Sequence, residues 1–226
     1  MKQFLLKCLK YLFEENTPSI QVLPKKRTYL DYDWSSVIEF ETGGRNYYEK
    51  FLKKLTWPKG ESGITMGIGA DLGYMSLEEF ENYFSHYFTT EENVLIKKII
   101  GLKGDKAKKA LSKVQHIELS WVNASEAFVK WTLPKFWKMA NDLWPGLDQL
   151  KESAQIALVS LVFNRGASIK GPSRAEMKNI KPLVVNKDYK GIANEIRSMK
   201  RLWVGKKLDG LLARRDKEAQ AIEASV

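Results

Sequence analysis

GESGITMGIGADLG, residues 60–73, sets five glycines among a threonine, an aspartate and a glutamate. Ile64, Met66, Ile68 and Leu72 fall at even spacing, and a period of two predicts a small hairpin or sheet. Within it Thr65 and Asp71 stand six residues apart. Glycine lacks a side chain, so a bulky ligand can approach such a strand closely. The stretch reads as a short β lobe that presents a hydroxyl and a carboxylate to something large.

Upstream, WSSVIEFE predicts a short helix that Asp33 or Ser35 can cap and that ends against Thr42-Gly43-Gly44. Glu41 lies at that end, where its carboxylate can project into a cleft. Burial there would raise its pKa and keep a proton available for donation. Glu39, two positions earlier, faces differently on a helix. An irregular aromatic piece, NYYEKFLKKLTWP, joins this helix to the glycine segment.

Everything downstream reads helical. Ser76 with Glu79 and Thr89 with Glu92 fit the capping box, in which each side chain satisfies the other residue's backbone N–H. Gly101 and Gly104 break the next stretch, Asn123 or Ser125 can open another, and Pro134 interrupts that one or starts its successor. SAQIALVSLVF, residues 153–163, is apolar on nearly every face and belongs at the centre of a domain. KDYKGIANEIRSM and DGLLARRDKEAQAIEA predict amphipathic surface helices, turning Ile192, Ile196 and Met199, then Leu211, Leu212 and Ala219, inward. The fold class is mainly α (α+β), a β-hairpin lobe beside a helical lobe around a central buried helix.

At the other end, Phe4, Leu5, Cys8, Tyr11 and Leu12 have helical spacing, and Asn16 to Tyr32, with Pro18 and Pro24, reads as a linker. The expected division is an N-terminal helix and linker over 1–30 and one domain over 31–226. Lys7 and Lys10 interrupt the apolar residues, unlike a signal-peptide core, and no apolar run reaches the roughly 18 residues of a membrane span. Action outside the producing cytoplasm would need another way out.

A chain of 226 residues that is 44% hydrophobic can build a full core. Thirty-seven Lys and Arg against 27 Asp and Glu give a formal charge of +10, a field that draws polyanions. The basic residues are scattered and form no stripe interleaved with aromatics, which argues against nucleic acid. One cysteine, Cys8, excludes an intramolecular disulfide, and His86 and His116 alone offer no zinc spacing.

A proton donor facing a second carboxylate across a groove, with a hydroxyl to orient water, is the minimum equipment for cleaving a glycosidic bond. Singly, a helix-end Glu is more often solvated and a hairpin Asp more often a turn former. From Glu39 to Tyr74, however, the chain resembles the phage-type lysozymes of glycoside hydrolase family 24, in particular the subgroup similar to the muramidase domain of the bacteriocin pesticin. The resemblance lies in Glu41 with Thr42-Gly43-Gly44, in Trp57-Pro58, in Ser62 to Gly69 (SGITMGIG), and in Asp71 with Leu72-Gly73-Tyr74. Two later anchors keep the family order: ALVSLVFNRG, from Ala157 to Gly166, and GLLARRDKEAQ, from Gly210 to Gln220.

The resemblance implies a lysozyme-like fold and a peptidoglycan hydrolase, a muramidase that cleaves the β-1,4 bond between N-acetylmuramic acid and N-acetylglucosamine. Glu41 would be the general acid, Thr65 would hold the attacking water, and Asp71 would be the second carboxylate. Gly69, Phe163, Asn164 and Arg165 would border the substrate, while Arg214 and Arg215 would stabilise the domain. The departure is Lys59, which stands where the T-even phage enzymes carry an aspartate and which cannot serve as base or nucleophile; Glu61 is near that place, on the turn. The resemblance implies no metal or organic cofactor. It suits a monomer released by a holin or delivered by a secretion apparatus to the periplasm or wall, as an endolysin or as a toxin with an immunity protein. A lysozyme-like wall-binding module without turnover is the alternative, and membrane damage by the N-terminal helix is a third.

Overall fold

The computed structural model describes residues 27–224, so the expected helix over 2–14 lies outside the described residues. Within the span read as linker, Tyr29–Asp31 forms a 3-10 turn whose Tyr29 ring stacks on Trp137 with centroids 4.3 Å apart. Helix α1 (Ser35–Thr42) follows. Its first turn is held by Asp33, whose Oδ1 accepts the Ser35 N–H at 3.0 Å. It ends at Gly43, which turns left-handed at φ +74°, a conformation that glycine adopts without steric cost.

Strands β1 (Thr65–Met66) and β2 (Ala70–Asp71) are antiparallel, with Thr65 opposite Asp71 and Met66 opposite Ala70. The alternation of apolar residues thus marks a hairpin, as its period predicts. Thr65 also exchanges two backbone hydrogen bonds with Thr56, of 2.7 and 3.0 Å, which anchors the hairpin to the aromatic segment before it.

Helices α2 (Leu77–Tyr83) and α3 (Thr90–Lys97) open on the two expected capping boxes, Ser76 with Glu79 and Thr89 with Glu92. After α4 (Gly104–Ala110), α5 (Trp121–Ala127) is capped by Ser120 rather than by Asn123 or Ser125; the Ser120 hydroxyl accepts the Asn123 N–H at 3.2 Å. The chain then continues through a π-helical turn, Phe128–Thr132, into α6 (Leu133–Leu143). That wider turn falls where Pro134 withholds an N–H from the carbonyl four residues back, so the proline shifts the ladder instead of ending the helix.

Helix α7 (Glu152–Arg165) is the predicted centre: eight of its fourteen residues are buried. Around it lie α8 (Ala175–Val185), α9 (Tyr189–Ser198) and α10 (Asp209–Glu223). Ile192, Ile196 and Met199 are buried as expected. On α10 the expectation fails in part. Leu211 and Leu212 are only half-buried, and the inward face carries Arg214, Arg215 and Glu218 beside Ala219 and Ile222.

Among the described residues two hydrophobic cores result. The larger surrounds α7 and includes Val37 and Ile38 of α1. The smaller gathers Leu55, Phe80, Phe84, Ile96 and Ile117 under the hairpin. The glycine segment feeds both: Ile64, Met66, Ala70 and Leu72 enter the small core and Ile68, at the hairpin tip, enters the large one. The α5–α6 rod does the same, with Ala127 in one and Ala124, Phe128, Leu133 and Ala140 in the other. The chain therefore has a mainly α, lysozyme-like fold with a two-stranded lobe. Among the described residues no helix is long and apolar enough to cross a membrane.

Candidate active site

The glycines of the hairpin serve two purposes. Gly67 and Gly69 turn the chain at φ +56° and +74°. Gly63 and Gly73 instead let two backbone segments touch: a Cβ on Gly63 would stand 2.3 Å from the Gly73 nitrogen and 2.4 Å from Asp71 Oδ1. Into this contact Asp71 places its carboxylate, whose Oδ1 accepts the N–H of Gly63 at 3.0 Å and of Gly73 at 2.8 Å. Its Oδ2 shares the Gly63 N–H at 3.2 Å. The expectation that these glycines clear the strand for a ligand is corrected at 63 and 73, where close packing requires them. It survives at Gly69, which is exposed with open space beyond its Cα.

Both backbone groups of Thr65 are spent on Thr56, so Thr65 meets Asp71 as a non-hydrogen-bonded pair. That geometry brings opposed side chains closest, with Cα atoms about 4.5 Å apart. The hydroxyl and carboxylate thus share one face of the hairpin.

Glu41 sits in the last turn of α1 with 22% of its side chain exposed, and its Oε1 accepts a 2.7 Å ion-paired hydrogen bond from Arg214 Nη1. The expected helix-end carboxylate is thus only part-buried, and it faces an arginine. Arg214 is itself fastened: Nη2 donates to the Ser160 hydroxyl at 2.9 Å, Nε donates to Glu218 Oε1 at 3.1 Å, and its guanidinium lies 4.9 Å from the Phe40 ring centroid. Glu218 also accepts from Ser160 Oγ at 2.6 Å and from Arg215 Nη2 at 2.8 Å. Burial pushes the Glu218 carboxyl up and the Arg215 guanidinium down from their ordinary ranges, and the pairing between them opposes both shifts. A network of this kind fixes the place of the one carboxylate that reaches its edge, Glu41.

A depression of about 360 Å³ opens beside Asp71, lined by Gly69, Tyr74, Glu79, Trp131, Lys135, Phe136 and Phe163 among others. The rings of Phe136 and Phe163 tilt together at 4.4 Å, and exposed Tyr74 stands under the Lys103 ammonium at 3.5 Å. Apolar ring faces with polar groups between them suit a sugar. Glu79 accepts the Ser76 N–H at 2.8 Å and the Trp131 Nε1–H at 3.3 Å, and the Ser76 bond leads the causes that hold its carboxyl below the usual range.

The depression gathers Gly69, Asp71 and Phe163. Asn164 and Arg165 line a neighbouring one with Arg174, Trp203 and Lys206, because successive helical residues point about 100° apart. Glu39 lines a groove on the far side of α1, with Ile156 and Lys217, and Glu61 lines another with Trp57 and Gly104. Lys59 is exposed at φ +81°. Arg214, which the resemblance assigns to stabilising the domain, also contacts Glu41. Trp131, Lys135 and Phe136 went unnoticed, although WTLPKFW is an aromatic and basic cluster that sequence reading could have marked.

Comparison with known proteins divides the chain. A family model described as phage lysozyme matches residues 100–218. One described as a domain of unknown function (DUF8812) matches residues 36–132. Glu41, Thr65 and Asp71 lie in the second span alone, and Phe163, Asn164, Arg165 and Arg214 in the first alone. No curated protein matches the chain.

Proposed function

The chain belongs to the phage lysozyme family, whose model spans 119 of its 226 residues, and from that premise we propose that it is a muramidase of the pesticin-like kind in glycoside hydrolase family 24. A lysozyme-type glycosidase acting on peptidoglycan follows from the family itself. The finer reading is cleavage of the β-1,4 bond between N-acetylmuramic acid and N-acetylglucosamine. The observation that carries it is the Thr65–Asp71 pair, of which Asp71 lines a depression walled by Phe136 and Phe163.

In this reading Glu41 protonates the departing glycosidic oxygen. Arg214 occupies Oε1, which orients Oε2 as the oxygen that carries the proton. Asp71 activates water or stabilises the cationic transition state. Its Oδ1 is committed to two backbone N–H groups, so Oδ2 performs that task and the opposed Thr65 hydroxyl positions the water. Gly69 and Phe163 border the glycan, with Asn164 and Arg165 beyond. The +10 charge concentrates the protein on polyanionic walls, less so at high salt. Release by a holin or delivery by a secretion apparatus, as endolysin or toxin, would bring the chain to that substrate.

A second reading, a wall-binding module without turnover, draws on the clasp at Gly63 and Gly73, which accounts for Asp71 with no chemistry at all. Mass spectrometry of sacculi incubated with the protein separates the two. A muramidase releases fragments with N-acetylmuramic acid at the reducing end. Reducing N-acetylglucosamine ends would refute the bond specificity, and adsorption without fragments would establish the binding module.

A further inference from the structure

A groove of about 580 Å³ lies between the start of α1 and the junction of α5 with the π-helical turn. Its floor is Trp34 and Ile38, both buried, and Leu30, Trp121 and Val129 wall it, with Leu30 44% exposed. The rim is acidic. Exposed Asp31, Asp33 and Glu126 stand there against one cation, Lys130, which Glu126 already pairs. The Ser125 hydroxyl, also in the lining, is buried without a hydrogen-bond partner. On a chain of net charge +10, an apolar groove edged with carboxylates repels the polyanions that the rest of the surface attracts. It suits an apolar segment carrying positive charge.

The entry of the chain selects the occupant. Arg27, the first described residue, is held at Glu152 by a 3.0 Å ion pair, and Leu30, three residues on, is already a wall of the groove. At most about 11 Å of backbone separates the two, so residues 1–26 arrive beside the groove. Outside the described residues, the sequence sets Phe4, Cys8 and Tyr11, with Leu5 and Leu12, at the i, i+4, i+7 spacing of a helix that lays one face into a groove. Lys2, Lys7 and Lys10 lie among them, opposed by Glu14 alone. As a coil, residues 13–26 would span about 20 Å, which holds the segment near the groove at an effective concentration of millimolar order. We propose that residues 2–14 of this same chain occupy the groove, with their apolar face on Trp34, Ile38 and Trp121 and their lysines towards the acidic rim. Seated there, the segment clamps α1, whose last turn carries Glu41, to α5 and turns its own apolar face away from any bilayer. The inference does not depend on the chemistry at Glu41.

Cys8 is the one cysteine of the chain, so its thiol reports on the segment directly. Alkylation of Cys8 in the native full chain should run at least about tenfold slower than in a synthetic peptide of residues 1–16, which has no groove to occupy. Leu30→Lys sets a cation in the groove at an exposed side chain and should restore the peptide rate. Val122→Lys, also exposed on α5 but outside the groove, should leave Cys8 protected. Should Leu30→Lys fail to fold, Glu126→Lys at another exposed rim position reads the same release. A parent Cys8 that reacts at the peptide rate, or protection that survives Leu30→Lys and Glu126→Lys alike, overturns the proposal. Protection lost on dilution, the mark of a second copy, or gained only with vesicles of anionic lipid, overturns it as well.

Discussion

In the hairpin lobe Asp71 takes its hydrogen bonds from the peptide N–H groups of Gly63 and Gly73, eight and two residues away. In the helical lobe Glu41 takes its bond from a side chain 173 residues away, Arg214, held in turn by Ser160 and Glu218. One carboxylate is positioned by a local fold of the backbone, the other by a charged network that α10 and α7 assemble. A backbone clasp tolerates no added atom, whereas a buried charge network tolerates no subtracted one. The two lobes should therefore fail differently when altered.

The largest effect is expected at the network. Arg214→Leu strips Glu218 of one of its two cations and Glu41 of its partner, and leaving buried charge unpaired costs about 3–5 kcal/mol. For a chain of this length that lowers the melting temperature on the order of 10 °C, readable by calorimetry. A loss under about 1 kcal/mol would show that Arg215 suffices alone. Next is the clasp. Gly63→Ala drives a methyl into the Gly73 backbone and the Asp71 carboxylate and should cost about 2–3 kcal/mol. Gly69→Ala, with φ +74° but nothing within 4 Å, should cost only about 1 kcal/mol of left-handed strain. Equal losses in the two would mean that the clasp yields.

The smallest effect belongs to Glu79, which caps α2 and lines the depression. Glu79→Ala should cost about 1 kcal/mol near neutral pH. Its folded carboxyl titrates below the ordinary glutamate value of 4.5, so the stability it adds is full above that value and is lost as the pH falls through the folded pKa. The gap between variant and parent in pH-dependent melts should close on acidification. A gap that persists at low pH would assign the loss to packing against Trp131.

Much of this was legible in the sequence because its causes are local. The hairpin follows from a period of two, the capping boxes from pairs three residues apart, and the central helix from an apolar run longer than one face. Thr65 and Asp71 could be singled out together because their pairing spans only a three-residue turn. Arg214 could not be joined to Glu41, since nothing in ARRDKE states which way a guanidinium points once α10 meets α7. For the same reason the sequence of α10 predicts an ordinary amphipathic helix: a buried Arg-Arg-Glu face looks polar to any hydropathy pattern.

The central claim is that Glu41, at the edge of that network, gives the proton that breaks the glycan. Reducing-end release from purified sacculi by Glu41→Gln tests it most directly, beside a melting curve confirming that the variant folds. Removing a general acid should slow release at least about 100-fold, while the glutamine still offers Arg214 an amide oxygen and Arg214 keeps Glu218 as its charge partner, so the variant should fold. A folded Glu41→Gln protein that releases reducing ends at the parent rate would contradict the assignment.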